Sequence, residues 1–126
     1  MAGRYPEATR SSWGVDDPWL MEDIAAWLAA RDEEGGTGFV TAFTISNYHP
    51  WQVPEGFEPT GPRARPDGEH GDFLGTLSYS DQALGHFIAL LDAAGLSERT
   101  VLVVLGDTGA PMGEHDENFM PVRHPL

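Results

Sequence analysis

The residues equipped for chemistry sit just past two apolar runs. VLVVL, Val101 to Leu105, passes through Gly106 into Asp107 and Thr108, and GFVTAFTIS, Gly38 to Ser46, passes into Asn47, Tyr48, His49 and Pro50. A carboxylate is a hard oxygen donor for a divalent cation, and an imidazole can bind an anionic oxygen or protonate a leaving group. Each also has a plain structural role open to it. Asp107 can close an Asx turn that caps the next segment, and His49 can be a loop histidine packed on Trp51. The remaining histidines carry less. His70, His115 and His124 lie among Gly, acidic and Pro residues and read as solvated, while His86 sits between apolar helical positions and reads as boundary packing. Glu114, Asp116 and Glu117 offer oxygen ligands but lack the spacing of a calcium loop.

Two helices and two strands must position these groups. Asp17 and Pro18 form an N-cap and first-turn pair, after which Leu20, Ile24, Trp27 and Leu28 repeat at helical spacing to Arg31, with Gly35 and Gly36 beyond. Trp13, Trp19 and Trp27 read as core and helix-edge packing. Gly38 to Ser46 is apolar on both parities and β-branched, which predicts a strand covered on both faces. From Asn47 to about Gly71 the chain carries five of its ten prolines, so a long surface loop is expected. A second helix follows, with Leu84, Phe87, Ile88 and Leu91 on one face and Gly95 as its stop. VLVVL then reads as a buried strand. The order α, β, loop, α, β predicts an α/β fold with a mostly parallel sheet and flanking helices, in which both strands end on the same edge. That edge is where open α/β folds bind ligands, so Asn47, His49, Asp107 and Thr108 are expected on one rim.

Composition narrows the partners. With 126 residues the chain suits one globular unit, and 20 acidic against 7 basic residues give a net charge of −13, which repels phosphate backbones and anionic lipid. No nucleic acid partner is expected. The absence of cysteine removes disulfides, thiolate metal sites and a cysteine nucleophile. No signal peptide and no transmembrane segment is legible, so the chain as given is expected to be soluble.

Several segments resemble one family in the right order. LSYSDQALGHFIALLDAAGLSERTVLVVLGDTG is similar to the C-terminal part of the catalytic core in the sulfatase family of the alkaline phosphatase superfamily, in particular its lipoteichoic acid synthase and phosphoglycerol transferase branch. SWGVDDPWLMEDIAAWL resembles the Trp-Gly-acidic helix upstream, TISNYHPWQVPEG the Ser-Asn-His-His-Pro-Phe loop, and GEHDENF a Gly-Glu-His-Gly stretch. The resemblance divides the chain into a tail, residues 1–12, and a partial sulfatase-like domain, residues 13–126, and it implies a partial alkaline-phosphatase-like fold. It implies an anionic sulfate or phosphate ester as substrate, hydrolysed or used in phosphoglycerol transfer, and a divalent metal (Ca, Mg, Mn or Zn) as cofactor. Relatives are often membrane-anchored or extracytoplasmic.

Carried over by position, the resemblance makes Asp107 a metal ligand and His49, with Asn47, a substrate contact. Thr108 stands where the family has a metal-binding His, and Tyr48 stands where it has the first His of its loop. The family's Cys or Ser nucleophile motif is absent; TGPRAR, Thr60 to Arg65, is a near miss in another loop. The chain is therefore expected to be a fragment or degenerate member, inactive alone, with weak or absent metal binding. Two alternatives stand beside this: a non-catalytic interaction or vestigial α/β module, and an aspartic-protease-like use of Asp107-Thr108-Gly109. The second fits poorly with two helices preceding the motif.

Overall fold

A computed structural model of the chain describes residues 10–11, 14–60, 68–107 and 109. Thr108 lies outside the described residues, as do Trp13, Glu114, His115, Asp116, Glu117 and His124. A two-residue hairpin opens the described part, β1 (Arg10–Ser11) pairing antiparallel with β2 (Gly14–Val15). Two helices follow, α1 (Asp17–Glu33) and α2 (Glu69–Ala93), and a single 3₁₀ turn, Ser97–Arg99, closes the second.

Both helices end in the same way, for a reason already legible in their glycines. At the end of α1 the Gly36 N–H donates to Arg31 O and the Gly35 N–H to Asp32 O; at the end of α2 the Leu96 N–H donates to Leu91 O and the Gly95 N–H to Asp92 O. Gly35 and Gly95 sit at φ 71° and 68°, the left-handed conformation this paired closure requires. Leu96, one residue on, folds back as a buried apolar contact.

The core lies between the helices. Met21 and Ala25 of α1 meet Ala83, Phe87 and Leu91 of α2 together with Leu96, and Ile24, Leu28, Leu84 and Leu90 pack around them. Four-residue spacing puts each set on one face, and burial of a large apolar side chain there contributes about 1.5–3 kcal/mol. Ile88 was expected on the buried face of α2 but lies 45 % exposed, because Ala83, Phe87 and Leu91 already fill the stripe toward α1. Trp27 is also largely exposed; its ring lies against the Gly38 backbone, so close that a Cβ there would meet it at 2.8 Å.

The expected mostly parallel sheet is not seen among the described residues. Residues 36–45 and 101–106 belong to no ladder, and the strand pairing present is β1 with β2. The covered strands of the sequence reading become uncovered segments: Phe39 and Val101 are each 90 % exposed, and Phe43 and Leu105 are 75 % and 83 % exposed. A helix satisfies its backbone within itself, whereas a strand needs neighbours on both edges and layers on both faces.

The two uncovered segments are nevertheless tied to each other's neighbourhoods. The Arg99 guanidinium grips both oxygens of Asp32, at 2.6 and 2.9 Å, so the segments leave the helix pair from the same place. Just past the other end of each, Tyr48 and Asp107 are hydrogen-bonded.

Candidate functional site

The loop after Ser46 is anchored from behind by a residue first read as a helix cap. The N-cap of α1 is Asp16, not Asp17, and no side-chain cap bond forms there. Asp17 is the first helical residue and is fully buried. Its Oδ1 accepts the Ile45 N–H at 2.8 Å and the Ser46 N–H at 3.2 Å, and its Oδ2 accepts the Ser80 hydroxyl at 2.8 Å. Beside it the Tyr79 hydroxyl donates to Asp16 Oδ2. Burial, followed by that hydrogen bond and the two carboxylate charges, holds the Tyr79 phenol well above the ordinary tyrosine range. Asp16 Oδ1, Ser46 Oγ and Asn47 Oδ1 are buried without a hydrogen-bond partner among the described residues.

From this anchor the loop turns tightly. The Tyr48 N–H donates to Ile45 O, the Trp51 N–H to Tyr48 O, and the Trp51 indole N–H to Asn47 O at 3.2 Å. The His49–Pro50 peptide is cis, and Trp51 has φ 53°. Beyond it the chain runs along α2, with Trp51 edge-on to Phe73 and Phe57 edge-on to Tyr79. Thr60 ends this course, bonded through its backbone to Ser78 Oγ.

The candidate residues take these places. His49 is exposed and meets the Trp51 ring edge-on, with centroids 5.2 Å apart, which is the packed-loop arrangement weighed from the sequence. Asn47 lies at the root of the loop. Asp107 is exposed and accepts a hydrogen bond from the Tyr48 hydroxyl across 59 positions of chain. That bond to a carboxylate raises the Tyr48 phenol above its ordinary value. His70 is exposed at the start of α2, and His86 stands 3.4 Å from Glu22 at the helix boundary. The loop carrying Asn47 and His49 and the end of the VLVVL segment therefore meet through Tyr48.

Sequence reasoning passed over three members of this arrangement. Tyr48 was read only as a substitution for histidine, and Tyr79 and Ser80 only as part of the family-like segment that begins LSYSDQALG. Two adjacent aspartates before Pro18 were the available signal, since a helix start uses one N-cap side chain and leaves the other to be accounted for.

The described residues of the rim do not by themselves fit a divalent ion. Among the described residues no group of three or more His, Asp or Glu converges, and the rim offers one exposed carboxylate already engaged by a phenol. No described helix is long and apolar enough to cross a membrane.

Comparison with known proteins supplies the wider setting. The chain is 28 % identical over 109 residues to the lipoteichoic acid synthase-like protein YvgJ of Bacillus subtilis, an alignment covering 86 % of this chain and 17 % of that protein. The chain thus spans about a sixth of the relative's length. No solved structure gives a significant match. The model of the Sulfatase family matches residues 2–124, nearly the whole length, and the chain belongs to the sulfatase family.

Proposed function

We propose that this chain supplies one rim of a sulfatase-type site acting on an anionic sulfate or phosphate ester, by hydrolysis or phosphoglycerol transfer, and that alone it does not turn over. The observation that carries the reading is the Tyr48–Asp107 hydrogen bond, which joins the two loops expected to share a rim. In this reading His49 and Asn47 face the anionic ester, where an imidazole N–H or a carboxamide N–H can bind a non-bridging oxygen. Asp107 lies on the metal side, with Thr108 in the place of a second ligand. Because that donor set does not fit an ion, no catalytic step is assigned to one.

The same reading takes residues 38–46 and 101–105 as parallel strands of a larger sheet. Their common origin at Arg99 and Asp32 and their common end at Tyr48 and Asp107 support that course. Exposed apolar faces at Phe39, Phe43, Val101 and Val103 are what such strands carry before layers cover them. The non-catalytic reading keeps one specific support, the engagement of Asp107 by a phenol.

Calorimetric titration with Zn²⁺ or Mn²⁺ tests the assignment. The parent chain is expected to bind weakly, Thr108→His to bind more tightly because imidazole suits these ions, and Thr108→His/Asp107→Ala to lose the gain. No gain in the single variant, or a gain kept in the double variant, makes Asp107 a turn residue. Ester turnover by the chain alone that disappears in Asp107→Ala would overturn the inactive reading.

A further inference from the structure

A buried carboxylate at the first turn of a helix has an ordinary use in capping that helix, and Asp17 does not serve it. Its oxygens turn away from α1 toward two other parts of the chain: backbone N–H groups of Ile45 and Ser46 on one oxygen, the Ser80 hydroxyl of α2 on the other. We propose that Asp17 is a positioning residue for the rim, fixing the end of the 38–46 segment against α2 so that Tyr48, two residues beyond Ser46, reaches Asp107.

Four facts support this. Asp17 is 0 % exposed, so its hydrogen bonds are shielded from water and a missing one would leave a buried polar group unpaired. Two of its three bonds go to consecutive backbone amides, which constrains the direction of the chain and not merely its proximity. The segment it holds has little packing of its own, since Phe39 and Phe43 are exposed, so the apolar contacts that usually set a strand's place are missing here. Finally, Asp16 and Asp17 engage the adjacent residues Tyr79 and Ser80, so α1 meets α2 through two neighbouring pairs, and the Ser46 turn enters the same knot. The turn bonds from Tyr48 to Ile45 and from Trp51 to Tyr48 then pass that placement to His49.

The consequence for a site rests on the rim reading above, but the test does not. Through-space NMR contacts are measured in the whole chain without metal or ester. In the parent, contacts between the Tyr48 ring and Gly106 or Asp107 are expected together with core contacts between Met21 or Ala25 and Phe87. In Asp17→Ala the Tyr48 contacts should be lost while the core contacts persist. In Asp17→Asn they should return, because the carboxamide oxygen can accept both N–H groups and its NH₂ can donate to Ser80. Ser80→Ala removes the Oδ2 donor alone and carries the test if Asp17→Ala does not fold; it should shift the Ile45 and Ser46 amide resonances and weaken the Tyr48 contacts. Unchanged Tyr48 contacts in the alanine variants would overturn the proposal. So would failure of Asp17→Asn to restore them, which would make Asp17 a general stability residue.

Discussion

The helix pair and the two apolar segments, residues 38–46 and 101–105, both carry large apolar side chains and end up in opposite surroundings. Phe87 in α2 is 4 % exposed; Phe39, in the segment leaving α1, is 90 % exposed. A helix pair finds its partner within the chain, because each helix closes its own backbone bonds and needs one apolar stripe covered. A strand cannot be completed locally. The difference teaches that apolarity states a demand for cover, while the element type decides where the cover must come from.

The largest expected effect tests that contrast directly. Phe87→Ala should cost about 3–5 kcal/mol in denaturant unfolding by opening a cavity between the helices, whereas Phe39→Ser should stay within about 0.5 kcal/mol. Equal losses would break the comparison and place Phe39 in a packed layer.

A middle-sized effect is expected where the two regions join. Tyr79→Phe leaves Asp16 Oδ2 without its donor and should cost about 1.5–3 kcal/mol. The alkaline limb has a definite sign. A phenol raised in the folded state keeps its full contribution below the ordinary tyrosine value of about 10 and loses it as pH rises above that. Ultraviolet titration of the three tyrosines should show late components from Tyr79 and Tyr48, of which the latest is absent in Tyr79→Phe. If Tyr79→Phe removes no late component, the Asp16 contact is not kept in solution.

What could be read from the sequence follows the same divide. Helix positions and stops were legible because a 3.6-residue period and Gly35 and Gly95 are local signals. The strand expected at residues 38–46 rested on β-branched and aromatic content, which is local, whereas a ladder and its cover depend on residues far away in the chain, and neither is present among the described residues. The sequence placed the rim residues just past its two apolar runs, yet the phenol on Asp107 was not foreseen: nothing local to Tyr48 points to a partner 59 positions away. Asp17 was misread for a related reason, because DDP carries a capping signal whichever aspartate serves it.

The smallest effect concerns the shared origin of the two segments. Arg99→Gln should weaken the link to Asp32 only slightly, and the change should shrink further in high salt, as for any solvent-exposed ion pair. The Arg99 hydrogen bond lowers the Asp32 carboxyl below its ordinary value, so the pair contributes fully above the usual aspartate range and is lost as pH falls through the depressed value. Acid titration of parent and variant should converge at the low end. A variant that diverges there would place Asp32 in another contact.

The Arg99–Asp32 fork also bears on the order of folding. It closes a loop of 67 positions, longer than either helix could bridge, and its two side chains lie at the surface, where little else favours their meeting. The entropy of closing so long a loop is met more readily once α1 and α2 have packed and brought the two ends together. The fork is thus a late contact, and a substitution at Arg99 should quicken unfolding while leaving the folding rate nearly unchanged.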